Sequence, residues 1–332
     1  MAIGSGLAAQ FGVSAESTFG TYVAPTRFFE VAAFDVKKVK TPVQGGGVAA
    51  GRLGRLAARR VVTSQAGTVS ATTEATTTKL GLLLQHLMGT TVTPVQQGGT
   101  PAYLQTHAAA DNVGKYLTVQ GGVPNTAGTV VPYSATGCKI TSAEFSCGVD
   151  ETLSVKLDMD ARQVVDTQSL ATASYTTSQV PFHFGQMAVK IGATTGAAAS
   201  VDGVRKVTLK IDRPQRTDRF YAGAGGLKAE PIMNDWLAVS GTIEADFLDK
   251  ATFADRFAAD TQFALVWEFV GAQISGAYYN TLRLTIPAAF IEGDTPTVGG
   301  PDVTSGSFPF VAALDGTNAM LTIEYISTDT TV

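Results

Sequence analysis

The chain has 332 residues. Because a single hydrophobic core stops growing at roughly 250 to 300 residues, two domains are expected. Apolar residues make up 45% of the chain and charged residues 16%. The charged fraction is below the roughly 25% of an average soluble domain, which favours a β-rich protein with a largely neutral surface. The 24 basic and 28 acidic residues give a net charge of −4, so the chain lacks the cationic field that drives general nucleic-acid binding.

Signals for secretion, membranes and cofactors are missing from the sequence. The first basic residue is Arg27, so the opening segment does not have the positive charge of a secretory signal peptide. No apolar run approaches the roughly 18 residues of a membrane span. Cys138 and Cys147 are too few for a disulfide framework or a four-ligand zinc site. We therefore expect buried thiols in a reducing compartment, no membrane contact and no cofactor.

Most of the secondary structure is predicted to be β-strand. The clearest alternation places Leu153, Val155 and Leu157 between polar residues, which is the period of a strand with one buried face. Similar segments rich in Val, Ile, Phe, Tyr and Thr indicate further strands. The predicted strands are residues 28–39, 61–75, 138–145, 152–159, 204–211, 236–247, 262–270, 281–286 and 320–326.

Two stretches carry a helical pattern. In residues 77–88 leucines recur at steps of three and four, and Gly89 supplies a stop. In residues 249–260 the same spacing follows Asp249, which is expected to be the N-cap. Each helix offers one narrow apolar stripe to a core.

An internal repeat relates the two helical regions. The motif V-S-x-T-x-E-A occurs at residues 69–75 and again at 239–245, and each copy ends just before a predicted helix. The period is too long for a solenoid and suits two sister domains. We interpret the chain as an internal duplication with domains at 1–178 and 179–332.

The residues that usually carry chemistry do not form a catalytic pattern. His86, His107 and His183 stand in no H-E-x-x-H, G-x-S-x-G or C-x-x-C context, so they are expected to be surface or packing residues. The glycine clusters at 45–47 and 223–226 do not have the lysine and spacing of a phosphate loop. We interpret them as flexible loops that become ordered when a partner binds.

Charge is unevenly distributed along the chain. Residues 36–73 contain seven basic side chains and no acidic one, whereas residues 229–270 contain eight acids and two basic residues. Opposite charges on the two halves favour association between copies. Two alternatives remain open: solvated faces, or a nucleic-acid contact by the basic loop, which has no aromatic residues for stacking. The candidate contacts between subunits or rings are Lys37, Lys38, Lys40, Gly45, Gly46, Gly47, Arg52, Arg55, Arg59, Arg60, Gly225 and Gly226.

The opening of the chain resembles a known family. It reads G-S-G-L at 4–7, E-S-T-F-G-T at 16–21 and A-P-T-R-F at 24–28, and a strand, a Gly-rich loop and the leucine-rich helix follow. In these features the chain is similar to the tail tube (major tail) proteins of long-tailed bacteriophages. The resemblance is clearest over the first 90 residues.

The resemblance implies a mainly β protein with two tail-tube-type β-sandwiches, each flanked by a short helix, with long Gly-rich loops and an extended N-terminal arm. It implies a non-enzymatic protein of the virion tail, assembled in the host cytoplasm into stacked rings that form a tube for DNA delivery. The rings would contain six copies, or three with pseudo-sixfold symmetry. Further expected partners are the tape-measure, tail-terminator and distal tail proteins, and DNA passing through the lumen without sequence-specific binding.

Two other interpretations remain. The first is a carbohydrate- or receptor-binding pair of β-sandwiches, with a groove in which Trp267, Tyr278 and Tyr279 stack on sugars. The second and weaker one is a hydrolase whose site is assembled from distant segments.

Overall fold

The structure is a computed structural model that describes residues 4–177, 179–293, 301 and 303–332. The two helices are α1 (Gly81–Met88) and α2 (Ala254–Ala258). The strands of the first half are β1 (Gln10–Ala15), β2 (Arg27–Phe29), β3 (Val31–Gln44), β4 (Arg60–Glu74), β5 (Val95–Gln96), β6 (Tyr103–Ala108), β7 (Leu117–Pro124), β8 (Val130–Gly148), β9 (Ser154–Ala161) and β10 (Gln163–Val165). Those of the second half are β11 (Met187–Gly192), β12 (Ala199–Ser200), β13 (Val204–Asp212), β14 (Gln215–Arg216), β15 (Ile232–Met233), β16 (Ala238–Asp246), β17 (Phe263–Ser275), β18 (Tyr278–Ile291), β19 (Ser305–Ala312) and β20 (Thr322–Ser327).

The first half is a two-layered β-sandwich with one strand shared by both layers. One layer has the order β2-β1-β7-β8-β10, and the other has the order β3-β4-β9-β8. The long strand β8 takes part in both layers, because its beginning pairs with β7 and its end pairs with β9. The rings of Phe11 and Phe34 meet between the layers with centroids 5.7 Å apart.

The second half is built in the same way, with a contribution from the first half. One layer has the order β12-β11-β17-β18-β20, and the other has the order β13-β16-β19-β18. Strand β6 of the first half pairs with β20 over six residues, and β5 pairs with β6. The layer β12-β11-β17-β18-β20 of the second half is therefore extended by β6 and β5 from the first half.

The succession of strand pairings occurs twice. The order β1-β7-β8-β9-β4-β3 in the first half matches β11-β17-β18-β19-β16-β13 in the second, and each neighbouring pair is antiparallel in both halves. Helix α1 follows β4, and α2 follows β16 at the same place. This correspondence supports the predicted duplication. The division into two domains stays a prediction, and Ser178 lies outside the described residues.

The two halves are joined by a continuous sheet. The end of β8 pairs with β13 over seven residues, with Phe145 opposite Leu209. The joined sheet therefore has the order β3-β4-β9-β8-β13-β16-β19-β18. Its core-facing side is apolar in both halves, and Val155, Leu157 and Met159 on β9 show the alternation that the sequence predicts.

Helix α1 packs its leucines into the core and ends as predicted. Its leucines are all buried. Gly89 adopts a left-handed φ of 93°, and its N–H donates to the Gln85 carbonyl at 2.9 Å. A Cβ at this position would stand 2.4 Å from the carbonyl oxygen of Asp111, so a side chain is excluded both by conformation and by space.

The secondary structure differs from the prediction at the second helix. Helix α2 spans five residues and begins after Phe253, so the predicted N-cap role of Asp249 is wrong. The Asp249 carboxylate instead accepts hydrogen bonds from the N–H and the hydroxyl of Thr252, at 2.7 and 3.0 Å. These bonds stabilise a turn that precedes the helix. The mainly β fold is confirmed.

The alternation on β9 generates a stability prediction. Leu157 is 2% exposed, and Leu157→Ala is expected to lower the free energy of unfolding by about 3 kcal/mol because it leaves a cavity in the core. The neighbouring Lys156 is exposed on the opposite face, so Lys156→Ala is the matched control and should change that free energy by less than about 0.5 kcal/mol. Urea unfolding followed by circular dichroism measures both. Equal losses for the two variants would contradict the assignment of the core face.

Candidate assembly surfaces

The hairpin formed by β3 and β4 extends from the sandwich as an exposed arm. From residue 37 on β3 to residue 63 on β4, nearly every side chain is exposed. Lys37 forms an ion pair with Asp35. The predicted basic contacts lie together on this arm: Lys37, Lys38 and Lys40 on β3, Arg52 and Arg55 in the connecting loop, Arg59 just before β4 and Arg60 at its start.

The arm also exposes apolar side chains. Val48 and Leu53 in the connecting loop are fully exposed, and Val43, Val61 and Val62 are about half exposed. Apolar side chains grouped on a projecting segment are a common feature of surfaces that bind another protein. Gly45, Gly46 and Gly47 open the loop, and the Gly45 N–H donates to the Arg59 carbonyl at 3.0 Å, which closes the hairpin.

The corresponding loop of the second half, residues 213–237, folds back instead of projecting. The Gln65 N–H on β4 donates to the Gly226 carbonyl at 2.9 Å. Gly226 has a φ of +76°, and a Cβ there would stand 2.4 Å from the Thr63 carbonyl oxygen. Gly226 is therefore packed against the base of the arm, and its predicted role as a contact between subunits stays a prediction. Gly225 stands next to it in open space.

Two ion pairs fix the folded-back loop to the first half. The Lys139 ammonium on β8 is fully buried and lies 2.7 Å from Glu230, and it also donates to the Pro231 carbonyl at 3.0 Å. Lys228 is 2% exposed and lies 2.5 Å from Asp160 on β9. Burial lowers the pKa of Lys139, and burial raises the pKa of Asp160, while Lys228 opposes the latter shift. The buried charges of Lys139 and Asp160 therefore depend on the ion pairs with Glu230 and Lys228.

Arg213 connects the same loop to helix α1. Its guanidinium is buried and donates to the carbonyls of Met88 and Ala110, at 2.7 and 2.8 Å. Met88 is the last residue of α1, so the cation occupies the negative end of the helix dipole. Burial lowers the pKa of Arg213 to about 10, and it therefore remains charged at neutral pH.

The joined sheet presents a polar face opposite its core. Residues that lie directly opposite each other on neighbouring strands form rows across the sheet, and these rows continue through the β8–β13 junction. One row reads Thr72, Lys156, Glu144, Lys210 and Ser240. A second reads Glu74, Ser154, Ser146, Thr208 and Thr242. From β4 to β16 this face consists mainly of hydroxyl groups and charges of both signs.

The two ends of the strands carry different loops. Because neighbouring strands of the joined sheet are antiparallel, the loops at 45–59 and 213–237 lie at one end, which we call the hairpin end. The loops at 149–153, 193–203 and 247–253 lie at the other, which we call the acidic end.

The charges of the two ends are complementary. At the hairpin end Arg52, Arg55, Arg59 and Arg60 are all exposed. At the acidic end four acids are exposed, and the basic residues there are largely engaged: Arg205 with Asp246 at 3.8 Å and Lys250 with Asp255 at 2.8 Å. The exposed acids are Asp150, Glu151, Asp202 and Asp249.

The joined sheet ends in two strands with open edges. Among the described residues, β4 is the one strand that pairs with β3. At the other end, Phe290 and Ile291 of β18 pair with β19 on one side, and no described strand pairs with them on the other. Such edges expose backbone donors and acceptors that another chain can satisfy.

The structure contradicts two of the predicted features. Trp267 is fully buried in the core, so the proposed sugar-binding groove of Trp267, Tyr278 and Tyr279 is wrong. Two of the acids of residues 229–270 are also engaged inside the protein: Glu230 with Lys139, and Glu268 with Lys190 and Arg283. The acidic stretch of sequence is therefore not one surface.

Two of the three histidines and both cysteines are buried. His86 and His107 are buried, and burial lowers the pKa of each to about 4, so both are neutral packing residues. Cys138 and Cys147 are buried free thiols. Within residues 4–177, 179–293, 301 and 303–332, no group of three or more His, Cys, Asp or Glu side chains is placed to hold a metal ion. No helix in that part of the chain is long and apolar enough to cross a membrane.

The fold is mainly β. Residues 6–312 match the family model described as phage tail tube protein, and the chain therefore belongs to the phage tail tube protein family. This match confirms the resemblance seen in the opening residues and extends it over nearly the whole chain. The protein is accordingly a structural component of the virion tail. No curated protein matches the chain by sequence.

The folded-back loop generates a pH-dependent stability prediction. Lys228→Met leaves the Asp160 carboxylate without its partner, and the free energy of unfolding at pH 7 is expected to fall by about 3 kcal/mol. The pKa of Asp160, already raised by burial, should rise further. An acid with a raised pKa in the folded state penalises folding only when it is ionised, so the loss should shrink as the pH falls from 7 toward the ordinary carboxyl range near about 4.

Controls for this prediction are available in the same chain. The double variant Lys228→Met with Asp160→Leu removes both charges and should recover most of the stability at pH 7. Lys250→Met breaks an exposed ion pair with Asp255 and should leave the unfolding curve unchanged. Urea unfolding at several pH values measures all three variants. A loss for Lys228→Met that is the same at every pH would contradict the role of the unpaired carboxylate.

Proposed function

We propose that three copies of the chain form a ring with pseudo-sixfold symmetry, and that these rings stack into the hollow tail tube through which phage DNA passes. The observation that carries the proposal is the continuous sheet, which joins the two halves through β8 and β13 and leaves an open edge at each end. Another copy can extend the sheet at either edge by the type of pairing already present within the chain. Closure of the ring removes the last open edge.

The size of such a ring suits the passage of DNA. Three chains would place about 24 strands around the lumen, and a strand spacing of about 4.8 Å gives a circumference on the order of 115 Å. The backbone diameter is then roughly 37 Å before strand tilt widens it. This leaves room for a double helix inside the side chains of the polar face.

The polar face is the side of the sheet that suits the lumen. It carries hydroxyl groups and both signs of charge, and its acids include Glu74, Glu144, Asp158 and Glu244 beside Lys156, Lys206 and Lys210. A predominantly basic lining would bind phosphates and slow the DNA. A mixed lining that is slightly acidic allows DNA to pass without sequence-specific binding.

Stacking of rings is assigned to the complementary ends. The basic arm with Lys38, Lys40, Arg59 and Arg60 would contact the acidic end of the next ring, and its exposed Leu53 would be covered there. Opposite surfaces of one subunit that fit each other form a head-to-tail contact that does not close, and such contacts generate filaments. The glycines at 45–47 would let the arm adapt to the neighbouring ring.

The proposed tube would be built together with other tail proteins. Assembly would take place in the host cytoplasm, with the tape-measure protein inside the tube and the tail-terminator and distal tail proteins at its ends. No enzymatic step is required, because ring closure and stacking are driven by strand pairing, apolar burial and charge.

Electron microscopy of the purified protein tests the proposed assembly. Concentrated protein is expected to form rings and tubes, and averaged end-on views should show sixfold features built from three chains. Analytical ultracentrifugation of a dilute sample gives the mass of the free subunit as the control. Particles that remain monomeric at every concentration would overturn the proposal.

The stacking contact predicts a salt-dependent variant. Arg59→Glu with Arg60→Glu should yield rings that do not stack at low salt, because the arm then repels the acidic end of the next ring. The matched control reverses two charges on the polar face, Lys156→Glu with Lys210→Glu, and should still give tubes. Tube length in negatively stained images measures both. Normal tubes from the arginine variant at all salt concentrations would contradict the assigned contact.

A further inference from the structure

The junction between β8 and β13 offers a template for the contact between chains. We infer that β18 of one chain pairs with β3 of the next chain in the register that β8 and β13 show within the chain. This inference rests on the proposed ring, since it specifies the contact by which the ring closes. It follows from the repeated pairing order, in which β18 takes the place of β8 and β3 takes the place of β13.

The position of β3 is defined through the repeated motif. Thr68 and Ala238 each immediately precede the motif V-S-x-T-x-E-A. Thr68 lies opposite Lys37 on β3, and Ala238 lies opposite Asp212 on β13. Lys37 is therefore the counterpart of Asp212.

The position of β18 is defined from the other side of the same motif. Ser70 and Ser240 occupy its second position. Across the sheet, Ser70 reaches Ser142 on β8 through β9, and Ser240 reaches Phe290 on β18 through β19. Phe290 is therefore the counterpart of Ser142.

These two correspondences specify the register between chains. Within the chain Ser142 lies directly opposite Asp212. By the same register, Phe290 of one chain lies directly opposite Lys37 of the next. Paired residues of an antiparallel junction stand about 4.5 to 5.5 Å apart at their Cα atoms.

The neighbouring pair provides an independent check on the register. One residue further along the junction, Ala143 faces Ile211 on the core side within the chain. The same step between chains places Ile291 opposite Val36. Ile291 is 5% exposed and Val36 is packed against the core, so this pair continues the apolar layer from one chain into the next. A shift by one residue would instead place Ile291 opposite Lys37 or Asp35, both of which are charged.

The composition of β3 agrees with this junction. Edge strands that must stay unpaired often carry lysine or proline, and on β3 these residues are Lys37, Lys38, Lys40 and Pro42. Lys37 is the last residue of β3 that the inferred register pairs with β18, because Ala289 already pairs with Phe263 of β17, and the other three follow it. Before Lys37, residues 31–36 contain neither lysine nor proline, and the register pairs Val36 of this segment with Ile291.

Cross-linking between chains tests the register. A chain with both Lys37→Cys and Phe290→Cys places two thiols at a spacing that a disulfide accepts. After mild oxidation of assembled rings, most chains are expected to migrate as covalent dimers and trimers on a non-reducing gel, against a background near zero for the unsubstituted protein. A bond within one chain is excluded, because the two positions lie at opposite ends of eight strands, about 34 Å apart along the sheet.

Matched variants separate this register from other contacts. Phe290→Cys with Val36→Cys shifts one thiol to the opposite face of the sheet and should give no cross-link. Each single variant should give none either, and a mixture of the single variants Lys37→Cys and Phe290→Cys should stop at dimers. Cross-linking of Lys37→Cys alone would indicate a β3–β3 contact and would overturn the inference.

Microscopy of the reduced variants distinguishes a wrong register from the absence of a ring. Rings that form but cross-link through the control pair, or through neither pair, refute the register and leave the ring intact. Failure of the unsubstituted protein to form rings under any condition refutes the proposed function and the register together.

Discussion

The requirement that backbone hydrogen bonds be satisfied at the edges of a sheet governs this protein. Eight strands run from β3 to the end of β18 in one sheet, and the β8–β13 junction pairs the edge that each half would otherwise leave open. Two edges remain, because the sheet is not closed on itself within one chain. A neighbouring copy can satisfy them with the same geometry, since the strands at the two ends are counterparts of the strands that meet in the middle.

The two halves differ most in the loop that connects their corresponding strands. Between β13 and β16 the loop is folded onto the first half and held by Lys139, Glu230, Lys228 and Asp160. Between β3 and β4 the equivalent segment is an exposed basic arm. Burying ion pairs is costly unless both partners are present, so the folded loop has one defined position, whereas the arm remains available for contacts outside the chain.

Local patterns predicted the strands well, because one buried face leaves a period of two, as Leu153 to Met159 show. The sugar-binding interpretation placed Trp267 in a groove, but this residue lies in a run buried on both faces, where polar positions no longer reveal the surface. Short strands such as β1 and β11 gave no strong pattern. The buried ion pairs were also missed, since Lys139 and Glu230 are 91 residues apart and only the tertiary fold brings them together. An isolated lysine in the apolar context of β8 was the one available signal.

The placement of β6 makes the halves interdependent despite their repeated plan. This strand belongs to the first half by position in the chain, yet it hydrogen-bonds to β20 at the edge of the second. If the chain were divided between the two halves, β20 of the second fragment would lose the strand that pairs with it, and β6 of the first fragment would have an unpaired edge. The second half therefore depends on the first to complete its sheet, although the strand pairings of the two halves follow the same order.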